Sequence, residues 1–501
     1  MSAVFQRLRT VIEEHPAALL LGYMAFSVVL WTAQCSLLQN ILSLDALEAI
    51  AWGGEFSWGH SKHPPLSGWA AEFFSRLSCR ADWGSYLGCQ LMLAIGVWFV
   101  YLTVRLFADR WSSATSAALL YCLFYYLPSW MKFSTYFVEI AIVPMAGFCF
   151  FRAQESAKRQ LLWWLLFGAL CGLGILNKYS FGLQIVGFAL VVLALPGYRR
   201  SFFSPGPYLA FAVFCAVLAP HLRWLIANDF CCFEHVGERM HEERRWYDTF
   251  NLLALILYPF FSSAVALCIA RFPGWRNAER KSVDRALLIR TLLPTLVPSV
   301  VYLVLDVTGN SVIMMWFCTT ASWTGAAVVA AFPWRITPAV WRRVFVLLLI
   351  LTAAVFTGTT LDLLLRSGRR LHLRPEAIVE PSLEFWHRRR SDPVPAVCGS
   401  PWFTGVIKNY SAERPPVCGT GDPVRLRQLR PLIDRRGALL IGDKEELDEI
   451  LAGFGCRAVR RKIRASYRAL WGRRRSESFL VGYLPPLAER QTPFPGKKGK
   501  R

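Results

Sequence analysis

Long, mostly apolar runs recur along this 501-residue chain, and no other feature narrows its fold as much. A bilayer's hydrocarbon core is roughly 30 Å thick, which a helix rising ~1.5 Å per residue crosses in about 20 residues. Eleven runs near that length fall at 16–37, 85–107, 112–131, 135–151, 161–176, 181–195, 207–226, 250–270, 291–307, 312–332 and 344–364. Hydrophobic residues make up 54% of the chain and its mean hydropathy is +0.34, more apolar surface than a water-soluble core of this length buries. The first run follows Arg7 and Arg9 but leads to no small-residue cleavage site, so it reads as a retained anchor.

The placement of Lys and Arg gives the runs a direction. Basic residues crowd four alternate turns: Arg152 with Lys158 and Arg159, Arg199 with Arg200, Arg271 to Arg285, and Arg335 with Arg342 and Arg343. Positive charge stays on the cytoplasmic side, so the N-terminus reads as cytoplasmic and everything past residue 364 as outside, which in a bacterium is the periplasm. The net charge of +22 is then largely topological. Its remainder, including Arg366, Arg369, Arg370, Arg374 and Arg388 to Arg390, would face anionic membrane lipids, and nucleic acid is excluded as a partner on that face. Most of the 14 cysteines sit singly in apolar runs; Cys398 and Cys418 lie at strand ends of the exported region, where a disulfide could form.

The expected organisation has three parts. Residues 1–364 form an all-α polytopic membrane domain carrying two long outside loops, 38–84 and 227–249. Residues 365–485 alternate short strand-like and helix-like pieces, the pattern of a small α/β domain. Residues 486–501 are a basic tail with the composition of disorder.

The first outside loop holds the most chemistry. Asp45 and Glu48 stand three residues apart, on one face if 44–54 is a helix, and a Lys62-His63-Pro64-Pro65 turn follows. The prolines deny the preceding residues a helical conformation, holding Lys62 and His63 on a rigid kink suited to clamping a phosphate. A general base beside such cations is what glycosyl transfer from a lipid phosphate requires. The plainer alternative is a surface helix capped by Asp45 and followed by a solvated turn. Glu139 lies inside the fourth run, where an ionisable group is costly unless partnered; an ion pair with Lys132 or Lys178 would also account for it. The second loop crowds His235, Glu238, Arg239 and His241, a weak metal pattern from which Arg239 is the better reading, as a phosphate contact. No cofactor is indicated, and a divalent metal remains only conceivable.

In order, Asp-x-x-Glu at 45–48, Trp52, Gly59-x-x-Lys62-His63-Pro64-Pro65-Leu66 and Trp69 resemble the first outside loop of bacterial membrane glycosyltransferases related to protein O-mannosyltransferases and the lipid A aminoarabinose transferase. Lys132-Phe133-Ser134, the run from Gly172 to Tyr179, Pro220 to Trp224, Ser400-Pro401-Trp402 and Tyr410 to Pro416 extend the likeness over about 16–485. The resemblance implies a GT-C-type fold. It also implies an inverting transferase that takes a sugar from a polyprenyl (undecaprenyl) phosphate to a periplasmic acceptor, with an anionic glycolipid such as lipid A or lipopolysaccharide core foremost. Asp45 matches the family's catalytic aspartate, with Glu48 orienting it or the acceptor, and Glu139 is a loose match to a second acidic position. Relatives carry Lys before the first proline where this chain has His63, so Lys62 is favoured as the phosphate ligand with His63 beside it. Lys178 and Tyr179 join that set by likeness, although a lysine at a helix end is also a common interface anchor. A transporter or flippase for a lipid-linked sugar is the competing class, but it would concentrate polar groups at mid-membrane.

Overall fold

The computed structural model describes residues 3–490 apart from 124–125, 127–131, 156–157, 241–247, 273–278, 313, 318, 369 and 457. In chain order its helices are α1 Ala3–Glu14, α2 Pro16–Leu38, α3 Leu44–Gly53, α4 Leu66–Leu77, α5 Trp83–Val104, α6 Arg110–Ala118, α7 Thr135–Glu155, α8 Gln160–Asn177, α9 Phe181–Ala194 and α10 Gly206–Ala227. Then come α11 Cys231–Met240, α12 Asp248–Arg271, α13 Arg285–Val307, α14 Thr324–Ala331, α15 Pro338–Leu365, α16 Glu376–His387, α17 Pro401–Tyr410, α18 Pro423–Arg436 and α19 Lys444–Gly453. Among the described residues, eight helices are long and apolar enough to cross a membrane, or nine if the bent α9 segment counts as one span. The polytopic, mostly helical class expected from the sequence is the one observed, and the chain is a multi-pass membrane protein.

Chain contacts divide the molecule into two compact units. The first comprises Met1–Ala33, Lys62–Ser67 and Tyr86–Thr359; the second comprises Gln34–Ser61, Gly68–Ser85 and Thr360–Arg501.

In the first unit the long helices follow the expected runs closely, and two runs depart from them. The run at 312–332 is not one helix but two 3-10 turns, Met314–Phe317 and Thr320–Trp323, followed by the eight-residue α14. Its hydroxyls explain this locally: Thr320, Ser322 and Thr324 each donate to the carbonyl three residues back, at 2.8 to 2.9 Å, which closes 3-10 turns in place of helix. The run at 112–131 begins as α6 and tightens at Leu119–Cys122. Both short helices are interior pieces: Ser112–Ala118 and Thr324–Ala330 are buried throughout, and a Cβ at Gly325 would lie 2.3 Å from the Ser116 carbonyl oxygen. Small residues allow that approach, as they do at helix crossings in lipid. At the end of α9 the chain bends by 107° into Pro196–Phe203, because Pro196 holds Leu195 extended. The last carbonyls of α1 have no partner within the helix; Trp341 Nε1 donates to Ile12 at 2.9 Å and Trp111 Nε1 to Glu13 at 2.7 Å.

The second unit contains a five-stranded sheet of order β2-β1-β3-β5-β4, with β1 Val397–Gly399, β2 Val417–Gly419, β3 Ala438–Gly442, β4 Val459–Tyr467 and β5 Arg475–Leu484. The first three strands run parallel and β5 is antiparallel to both β3 and β4. Fully buried β3 is the centre, and α17, α18 and α19 follow β1, β2 and β3 as crossovers. The alternation of short strands and helices expected past residue 365 is the one observed, and a further short helix, Leu487–Arg490, falls in the stretch expected to be disordered tail. Cys398 and Cys418 face each other in register on β1 and β2, and both are free thiols.

Candidate active site

Helix α3 presents the acid pair. Ser43, not Asp45, occupies the position before its first turn, so the capping alternative for Asp45 does not hold. Asp45 sits within the first turn, where the helix dipole favours a carboxylate, and it and Glu48 are each half-buried. The opposite face, Ala46, Leu47, Ala49, Ile50, Ala51 and Gly53, is buried. Just beyond, Trp52 stacks on His60 with ring centroids 5.4 Å apart, and Trp58 meets Trp69 edge-on at 5.0 Å. Glu55 pairs with Arg425; burial raises its carboxyl above the usual range, against the pull of Arg425 and Lys408. In the same unit Glu72, almost wholly buried, takes Arg76 Nε at 2.8 Å and Arg80 Nη1 at 2.7 Å. Burial would raise its carboxyl, but the two guanidinium hydrogen bonds outweigh it and hold the group below its ordinary value.

The proline kink forms as the sequence requires: residues 61–63 are bends, Pro64 and Pro65 are buried, and helix begins only at Leu66. Lys62 and His63 are half-buried there.

In the first unit three predicted residues meet where α7 begins and α8 ends. Asn177, wholly buried, donates from Nδ2 to the Thr135 carbonyl at 2.8 Å and so ties the two helix ends together. Lys178 then leaves the helix in an extended conformation. Its ammonium lies 4.5 Å from the centre of the Tyr136 ring and 5.3 Å from that of Trp316, in cation–π geometry. Glu139 is 1% exposed on α7, its Oε2 accepts no hydrogen bond from the described residues, and Lys178 is the charge that acts on it. The Tyr179 hydroxyl lies 3.0 Å from His221 Nε2, and its ring stacks on Phe233 of α11 at 5.0 Å. The side chain of Arg239, further along α11, lies outside the described residues, as do those of His235, Glu238 and His241. His221, buried on α10 with its ring against Trp224, is the neighbour of Tyr179 that spacing alone did not single out.

Residues 62–224 match the family described as dolichyl-phosphate-mannose-protein mannosyltransferase. The fold is similar to two crystal structures of ArnT from Cupriavidus metallidurans, one bound to undecaprenyl phosphate and one in the apo state. Each gives a TM-score of 0.61 at 13% identity and covers 92% of this chain and 97% of that one. No curated protein sequence matches the chain significantly. The matched segment holds Lys62, His63, Glu139, Lys178 and Tyr179, and over nearly the whole chain the likeness to ArnT is one of fold.

Proposed function

We propose that this enzyme moves a sugar from undecaprenyl phosphate, or a closely related polyprenyl phosphate, to an acceptor in the bacterial envelope, with lipid A or lipopolysaccharide core as the first candidate. One observation carries the reading: a half-buried lysine, Lys178, held between two aromatic rings beside the buried carboxyl of Glu139, within the segment that matches a lipid-phosphate-sugar transferase family. A fixed cation of this kind answers the charge that gathers on a departing phosphate.

In the reaction the acceptor hydroxyl gives its proton to Asp45 and attacks the anomeric carbon from the side opposite the phosphate. The new glycosidic bond forms as the bond to the phosphate oxygen breaks, the electron pair leaves with polyprenyl phosphate, and the anomeric configuration inverts. Glu48 orients Asp45 or the acceptor. Lys62, His63, Lys178, Tyr179 and Arg239 receive the phosphate, and Glu139 steadies Lys178. The enzyme works in the inner membrane with its N-terminus cytoplasmic and its C-terminal domain periplasmic, where the arginine-rich region recognises an anionic acceptor.

The test is mass spectrometry of lipid A and core oligosaccharide from strains with and without the gene. Loss of one sugar residue from either glycolipid is expected and would name donor and acceptor together. An unchanged glycolipid profile with an altered protein glycan would move the acceptor elsewhere.

A further inference from the structure

Three residues ahead of Asp45 the chain is held in an unusual way. Leu42 is 2% exposed, and both of its backbone polar groups are taken by side chains of α17. Its N–H donates to the Tyr410 hydroxyl at 2.9 Å, and its carbonyl accepts from Trp402 Nε1 at 3.4 Å. The Tyr410 hydroxyl, acting there as acceptor, gives its own proton to Asp82, whose two oxygens each lie 2.9 Å away. Two residues earlier, Asn40 is tied through its N–H to the Leu371 carbonyl at 2.8 Å and through Nδ2 to that of His372 at 3.0 Å. Behind α3 the packing is tight: a Cβ at Gly405 of α17 would come within 2.8 Å of Leu47 Cβ.

We propose that Tyr410 and Asp82 are positioning residues for the transfer reaction: through Leu42 they fix the start of α3 and thereby the place at which Asp45 presents its carboxylate. The inference rests on Asp45 being the base. Less than one helical turn separates Leu42 from Asp45, so a shift of that backbone is carried to the carboxylate almost undiminished. Proton transfer tolerates little of it, because a base must stay within ~2.6–3.2 Å of its proton donor. Asp82 has a part of its own. It fixes the direction of the Tyr410 proton and leaves the hydroxyl lone pair for Leu42; without it the hydroxyl is free to turn and donate elsewhere.

The experiment uses the full-length protein in membrane vesicles, with two readouts: transfer rate from the mass of the glycolipid product, and affinity for undecaprenyl phosphate as the probe. Tyr410→Phe and Asp82→Ala are expected to slow transfer roughly ten- to hundredfold, the range set by a lost hydrogen bond and a misplaced base, with undecaprenyl phosphate affinity within about twofold of wild type. Asp82→Asn, which keeps an oxygen to accept the Tyr410 proton, should restore transfer to near the wild-type rate. The inference is overturned if Tyr410→Phe and Asp82→Ala transfer at the wild-type rate, if they lose affinity and transfer together, or if Asp82→Asn is as slow as Asp82→Ala. Asp45→Asn run in parallel separates the two levels: wild-type transfer in that variant sinks the catalytic reading itself, and loss there with no effect at Tyr410 and Asp82 sinks only the positioning role.

Discussion

Lys178 and Asp82 show what single side chains contribute here. The Lys178 ammonium lies against the Tyr136 and Trp316 rings, and in the proposed role it would meet an anionic phosphate without first shedding a full hydration shell. Replacing it by Met is expected to weaken undecaprenyl phosphate binding by roughly ten- to hundredfold, the size of a charge-assisted hydrogen bond, and to flatten the salt dependence of binding. A titration at several ionic strengths checks both; unchanged affinity would remove Lys178 from the phosphate set. Asp82 makes stability depend on pH. Burial pushes its carboxyl from 3.8 up to about 6, against the lowering effect of the Tyr410 hydrogen bond. The native state thus holds this proton more tightly than the unfolded chain does, and its contribution is full below pH 3.8 and lost as the pH rises through about 6. Thermal unfolding of the wild type should fall across that window, and Asp82→Asn should remove the Asp82 part of the fall; an identical pH profile in the variant would contradict the assignment. The Asp82 role was not evident from spacing, because the sequence places Asp82 and Tyr410 328 residues apart.

At the scale of elements, α3 and α17 act as a pair. Gly405 is required by close approach, and a Val there is expected to force α3 away from α17 at a cost of about 1–3 kcal/mol. The expected result is a lower unfolding temperature together with slower transfer; a variant with both unchanged would show that the two helices are not held in fixed register. The sequence disclosed elements in proportion to how plainly their burial was patterned. Long apolar helices announced themselves, whereas β4, with charges at Arg460, Arg461, Lys462 and Arg464, has no apolar run to mark it. As an edge strand against β5 alone, β4 needs only Ile463 and Ala465 buried, and its charges keep other chains from pairing there. The broken run at 312–332 was hidden for the opposite reason: its composition is apolar enough for a span, and only the spacing of Thr and Ser distinguishes 3-10 turns from helix.

For the whole molecule, the order of apolar runs and the kink at Lys62-His63-Pro64-Pro65 were legible because each is local in sequence. What was not legible is the company they keep: residues 34–61 and 68–85 belong with residues 360–501 to one compact unit, while Lys62, Glu139, Lys178 and Tyr179 belong to the other. Long-range packing of that kind leaves no trace in composition. The division suggests separate duties, with one unit carrying the lysines proposed to hold the lipid phosphate and the other carrying the proposed base. Loss of the base should therefore spare donor binding. Sugar transfer by Asp45→Asn in membrane vesicles, measured beside undecaprenyl phosphate affinity, is the most direct test of the proposed mechanism. The account expects transfer to drop at least about a hundredfold, the scale of general-base catalysis, with affinity retained; transfer at the wild-type rate by a normally expressed Asp45→Asn protein would contradict it.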